Sequence, residues 1–316
     1  MSGRGPVELM DAARAGDRGA LARLLSWVEH GGQRAHAVGR VAFPLAGSAY
    51  TIGLTGSPGA GKSTLTSALV AHGRAAGERL AVVAIDPSSP YTGGAILGDR
   101  VRMSEHALDD GVFIRSMATR GHLGGLALAT PEAIRVLDAA GFPWVIVETV
   151  GVGQVEVDVA GAADTTVVVV NPGWGDSVQA NKAGLMEIAD VFVVNKADRD
   201  GAAQTAHDLE SMLDLTTAGA WRPPVVRTIA SGAQDTSGAD ELWSAVGAHR
   251  RHLETSGELA DRRAARRGAE LELIVEQRIR AQVNARLRDG ARADLEAEVA
   301  AGRMDPWTAA DEVLGS

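Results

Sequence analysis

Eight consecutive residues, Gly56-Ser57-Pro58-Gly59-Ala60-Gly61-Lys62-Ser63, have the types and spacing of a phosphate cradle. They fit G-x-x-x-x-G-K-[ST], in which glycines let the backbone turn its N–H groups onto phosphate oxygens. Lys62 is expected to reach the β and γ phosphates. The Ser63 hydroxyl is expected on Mg²⁺, and Thr64 completes the nucleotide-binding set. The flanks support the motif: Tyr50-Thr51-Ile52-Gly53-Leu54 is an apolar run suited to a buried strand, and 64–70 has helical spacing. The helix adds its positive N-terminal end.

Further residues that could act on a bound phosphate follow apolar runs. Leu80–Ile85 ends at Asp86-Pro87, where Asp86 could hold Mg²⁺ through water, position the attacking water, or simply form the turn before proline. Glu148 closes Trp144-Val145-Ile146-Val147 and precedes Gly151. Glu148 is expected to polarise a metal-bound water, and the Gly151 N–H to bond the γ-phosphate. Ras-like GTPases place a water-orienting Gln directly after that glycine. Here the position is Val152, with Gln154 two residues later, so intrinsic hydrolysis is expected to be slow and to need another group or a partner. Asp99 follows glycines at 93, 94 and 98, in a segment suited to sensing the γ-phosphate. Residues 171–182 open with Pro172 and Gly173, carry Trp174 in an exposed-looking position, and bring Lys182 as a candidate to neutralise charge on the phosphates or as a plain surface lysine.

The base is read elsewhere. Val191-Phe192-Val193-Val194 runs into Asn195-Lys196-Ala197-Asp198. The Asp198 carboxylate can accept both guanine N1–H and its 2-amino group, Asn195 contacts the base, and the Lys196 stem covers the ring. Adenine presents the wrong pattern, so GTP and GDP are expected and ATP is not. Ser231-Gly232-Ala233 stands where a loop would meet guanine O6.

These residues need a scaffold that gathers strand ends. Apolar runs at 50–54, 80–85, 112–116, 144–148, 165–170, 191–195 and 225–229 alternate with helical stretches such as 131–140 and 202–213. That predicts an α/β fold with a doubly wound, mostly parallel sheet, ligands lying at the carboxyl ends of the strands. The expected organisation is an N-terminal helical extension at 1–45, with Asp17 capping its second helix, a phosphate-loop domain at 46–255, and a helical arm at 256–316. In the arm, Leu271, Ile274, Val275, Ile279, Val283 and Leu287 form a helical apolar stripe suited to self-association, and the arginines at 262–267 read as a solvated helix face.

Composition excludes other classes. The 316 residues include no cysteine, so disulfides and thiolate metal sites are ruled out and a reducing cytoplasm fits. A formal net charge of −9 argues against nucleic-acid binding. The N-terminus has no apolar core of a signal peptide, and no apolar run reaches bilayer length.

Taken together, these stretches resemble the MeaB/ArgK family of P-loop GTPases. The resemblance rests on 56–63, Asp86-Pro87-Ser88-Ser89-Pro90, 93–100, 115–125, 148–154 and 195–198, and covers roughly 5–255. It implies a homodimeric GTPase that chaperones an adenosylcobalamin-dependent acyl-CoA mutase, gating cofactor loading and protecting the mutase. It also implies that Ser63, Asp86, Asp99 and Glu148 surround Mg²⁺, with switches at 92–103, 148–157 and 172–183. An older reading of the family, as a kinase for arginine/ornithine transport, is the alternative. Nickel-insertion chemistry is disfavoured by the absence of cysteine and of His-rich tracts.

Overall fold

In the computed structural model the described residues are 4–86, 106, 108–118, 123–149, 161–174, 179–216, 219–230, 237–286 and 291–314. Within them, seven parallel strands form one sheet: β1 (Tyr50–Gly56), β2 (Leu80–Asp86), β3 (Val112–Ala118), β4 (Trp144–Thr149), β5 (Thr165–Val170), β6 (Val191–Asn195) and β7 (Val225–Thr228). Their order is β3-β2-β4-β1-β5-β6-β7, and every pairing is parallel. The chain leaves β1 towards β2 on one side and returns from β4 to β5 on the other. β1 therefore stands at the switch point, where crossovers leave a crevice at the strand ends.

The strands are continuous apolar runs because both sheet faces are covered. Side chains alternate between faces, and each set finds its own helices. Ile52, Leu54, Val82, Ile146, Val167 and Val193 pack with α4 (Lys62–Ala75) and α8 (Ala239–Ser256). On the opposite face, Val83, Ile85, Val145 and Val147 meet α1 (Pro6–Arg14), α2 (Arg18–His30), α3 (Gly32–Ala42) and α5 (Leu123–Ala139). Val168, Val170, Phe192 and Val194 meet α6 (Gln179–Ile188) and α7 (Ala202–Thr216). Asp17 caps α2 by accepting from the Ala20 N–H at 2.9 Å.

Two local expectations are corrected. The helix expected to begin at Pro131 starts at Leu123 and carries Pro131 inside it. Proline is tolerated in a first turn, which made the sequence look like a start, but it also persists within a helix at the cost of one backbone bond. Trp174, read as exposed, is 8% exposed and packs with Leu185, Ala206 and Leu209.

The chain divides into two units, Met1–Arg263 and Ala264–Ser316, the boundary falling within α9 (Glu258–Arg286). The second unit continues through α10 (Ala291–Ala300) and α11 (Pro306–Leu314). On α9, Leu271, Val275 and Ile279, four residues apart, are 60%, 45% and 52% exposed. Among the described residues, no helix is long and apolar enough to cross a membrane.

Buried polar groups cluster under the first unit's sheet. His249 of α8 is fully buried, with Nδ1 2.8 Å from the Thr165 hydroxyl, which lies 2.6 Å from that of Tyr50. Its Nε2 is 3.2 Å from Asp190, out of line for a hydrogen bond. Burial, then Arg262 and His252, push the His249 pKa down to about 3. Below its unfolded value near 6.5 the unfolded chain therefore binds the extra proton, and stability falls as pH falls. Burial raises the Asp190 pKa, which works in the opposite direction. From pH 7 to 5, urea titrations of the wild type are expected to lose about 2 kcal/mol more than those of His249→Asn. Equal losses would show that His249 carries its proton in the folded state.

Candidate nucleotide site

The site assembles where β1, β4 and β6 end. Gly56 closes β1 with φ +131°, and a Cβ there would come within 2.0 Å of the Val169 carbonyl oxygen on β5. Only glycine permits both the angle and the approach. The chain turns through Ser57, exposed Pro58 and Gly59, and buried Ala60, then enters α4 at Lys62. Lys62 and Ser63 are buried in the helix's first turn, and Thr64 follows at intermediate exposure. The Lys62 ammonium donates to the Gly56 and Ser57 carbonyls at 2.6 and 3.0 Å. A fixed positive charge and the N-terminal end of α4 thus lie together, which suits an anion.

β4 supplies the acid. Parallel register sets Glu148 beside Leu54, two residues before the loop. Glu148 is 2% exposed, and its Oε1 accepts the Ser63 hydroxyl at 2.5 Å. The next residue, Thr149, ties the two strand ends by donating to the Leu54 carbonyl at 3.4 Å and the Thr55 hydroxyl at 3.3 Å. A hydroxyl and a carboxylate converging beside a phosphate loop are hard oxygen donors. They fit Mg²⁺, which takes one or two protein ligands and fills its octahedron with water and phosphate oxygens.

β6 supplies the third part. Asn195 is 1% exposed, and its Nδ2 donates to the Ala60 carbonyl at 2.7 Å. Its Oδ1 accepts the Thr228 hydroxyl at 3.0 Å and the Ala230 N–H at 3.1 Å. The amide is thereby a brace linking the phosphate loop, β6 and the segment after β7. Gly61, at φ +93°, lies so close that a Cβ would meet Asn195 Nδ2 at 2.3 Å. Lys196, with φ +58°, donates to the Gly59 carbonyl at 2.6 Å. Asp198 is exposed beside them, free of the core, and oriented by a backbone whose Ala197 N–H bonds the Thr228 carbonyl at 3.0 Å.

The structure therefore brings together Gly56 through Thr64, Glu148, Asn195, Lys196 and Asp198. Asp86 ends β2 two strands from β1, and its side chain lies outside the described residues. Lys182 falls within α6, and its side chain too lies outside them. So do Asp99, Gly151, Val152, Gln154 and Ser231-Gly232-Ala233. Sequence reasoning missed Thr228 and the Asn195 brace. The signal was thin, because Asn195 and Ala60 are 135 residues apart.

Comparison with known proteins gives the same picture. Residues 21–288 match the family described as Methylmalonyl Co-A mutase-associated GTPase MeaB. A protein of Pyrococcus abyssi named as a GTPase is 50% identical over 97% of this chain and 95% of its own length. The mouse protein named methylmalonic aciduria type A homolog, mitochondrial, is 34% identical over 84% of this chain and 65% of its own. A crystal structure of a LAO/AO transport system kinase superposes with a TM-score of 0.72 at 28% identity, covering 98% of this chain and 96% of that one. With the phosphate loop, Glu148 and the Asn195–Asp198 loop at the carboxyl end of a parallel sheet, and a family match across most of its length, the chain belongs to the MeaB family and is a P-loop GTPase.

Proposed function

We propose that this GTPase binds GTP with Mg²⁺, hydrolyses it to GDP and phosphate, and uses the cycle to gate adenosylcobalamin loading onto an acyl-CoA mutase and to protect that mutase. The observation that carries the nucleotide part is the Asn195 brace, which locks the base-side loop to the phosphate loop at Ala60. One rigid unit then recognises both ends of one molecule. The partner part is supported by the family's description and by the mouse relative's name. Self-association is supported by the exposed stripe of Leu271, Val275 and Ile279, and the absence of cysteine fits action in the cytoplasm.

In this mechanism the loop N–H groups and Lys62 hold the phosphates, while Asp198 accepts the guanine donors. Ser63 and Glu148 would hold the metal, with Asp86 and Asp99 as further candidates. When bound, Mg²⁺ draws charge from the phosphate oxygens and polarises a water. Glu148 keeps the Ser63 hydroxyl aimed at the metal side. Water attacks the γ-phosphorus, the bond to the β-phosphate oxygen breaks, and Lys62 offsets charge gathering there. Lys182 is a candidate to supply a second cation. With Val152 unable to orient water, a partner is expected to accelerate this step.

Three measurements test the reading. Asp198→Asn is expected to weaken GTP binding about 10- to 100-fold and to favour xanthosine triphosphate, because an amide reverses one of the two bonding partners. Unchanged GTP affinity would contradict the base assignment. Ser63→Ala is expected to raise the Mg²⁺ concentration needed for half-maximal turnover while nucleotide remains bound, and an unaltered metal requirement would remove Ser63 from the metal. Turnover should rise on adding an adenosylcobalamin-dependent acyl-CoA mutase. No response to methylmalonyl-CoA mutase or its relatives, together with phosphate transfer from GTP to a small acceptor, would favour the transport-kinase reading that one solved relative's name carries.

A further inference from the structure

The end of the sheet away from the phosphate loop carries a second set of polar ties, all in the first unit. Arg263 sits near the start of α9. Its Nε and Nη2 donate to the two Asp164 oxygens at 3.0 and 2.6 Å, its Nη1 to the Gly47 carbonyl at 2.8 Å, and its Nη2 to the Ala49 carbonyl at 2.7 Å. Asp164 is 1% exposed and accepts the Thr51 N–H at 3.0 Å as well. From the other side, Asp138 of α5 accepts from the Gly47 N–H, the Ser48 hydroxyl and the Ala49 N–H at 2.5, 3.0 and 3.0 Å. The segment leading into β1 is thus pinned between two carboxylates and an arginine.

The preceding residue repeats the arrangement one strand over. Arg262 donates to Asp190 Oδ1 at 3.0 Å, and Asp190 Oδ2 accepts the Thr166 N–H at 2.8 Å. Thr166 lies in β5, and Asp190 directly precedes β6. Consecutive arginines therefore hold the entries of β1, β5 and β6. The far ends of those same strands carry the phosphate loop, Asn171-Pro172-Gly173-Trp174 and Asn195-Lys196-Ala197-Asp198. At about 3.3 Å per residue, each strand is a strut roughly 17–23 Å long.

A bidentate arginine on a buried carboxylate is a directional tie, and losing it leaves an uncompensated charge. Between the two ends the strands interdigitate in close-packed apolar clusters and shift as units rather than stretch. A nucleotide joins the upper ends of β1 and β6, and the arginines join their lower ends. Two restraints on one relative placement of the same struts are linked thermodynamically, and such linkage is reciprocal.

We propose that Arg262 and Arg263, at the root of α9, form a control point for nucleotide affinity, so that nucleotide tightens this clasp and loosening the clasp weakens nucleotide binding. The inference rests on guanine-nucleotide binding at the other end of the sheet. Hydrogen exchange on the wild type is expected to slow on saturation with GDP in peptides covering 47–51, 164–166 and 258–263. A fluorescent GDP analogue is expected to bind Arg263→Ala about tenfold more weakly, with Arg263→Lys in between. Leu24→Ala, which opens a cavity in the helical layer over the opposite face, should lower the melting temperature yet leave GDP affinity unchanged. Exchange unaltered by GDP in the wild type would overturn the coupling, and this holds even where Arg263→Ala does not fold. So would wild-type GDP affinity in a folded Arg263→Ala. A wild type that takes up no GDP at all would instead remove the nucleotide reading itself, and the coupling with it.

Discussion

One side-chain amide holds the nucleotide edge together. Asn195 gives its two hydrogen-bonding ends to two segments that are far apart in the chain: Ala60 in the phosphate loop, and the end of β7, where Thr228 and Ala230 both bond its oxygen. A glycine-rich loop has little to fix its own shape, since it lacks side chains to pack and its backbone samples both signs of φ. Here the restraint comes from outside the loop, in a buried position where an unmade bond would be costly. Gly61 is required for the same reason, because any side chain there would displace the amide. The phosphate loop and the loop proposed to read the base are therefore one braced object.

The parallel sheet makes that brace possible. Because β1 lies between β4 and β5, the loop after β1 is flanked by the acid that ends β4 and, two strands away, by the loop that ends β6. The two ends of the sheet differ in character. The carboxyl end presents exposed Asp198 and the glycine loop, whereas the amino end buries Asp164, Asp190 and His249. Thr165, His249 and Asp190 have the order of a catalytic triad, but Thr165 and His249 are fully buried, so no substrate reaches them. Their bonds instead fix α8 and the start of α9 beneath β5 and β6.

Much of this was legible in the sequence, and the reason is locality. The phosphate loop and Asn195-Lys196-Ala197-Asp198 are each contiguous and follow valine- and isoleucine-rich runs, so period, turn chemistry and motif agreed. All seven strands lie where the apolar runs placed them. What escaped depended on partners distant in the chain. Arg262 and Arg263 read as a solvated helix face, since nothing near them announces Asp164 or Asp190, and Arg263 proves to be bound at four points. Trp174, among glycine and proline, looked like a loop residue, yet it folds back onto α6 and α7. Asn195 was read as touching the base, and its bridging of two loops could not be seen without the sheet order.

The most direct test of the braced site is a crystal structure with Mg²⁺ and a non-hydrolysable GTP analogue. The phosphates should lie in 56–63 with Ser63 and Glu148 on the metal side. The guanine should meet Asp198, and Asn195 should still be bonded to the Ala60 carbonyl. A nucleotide bound elsewhere, or an Asn195 amide turned away from Ala60 when the base is in place, would contradict the account.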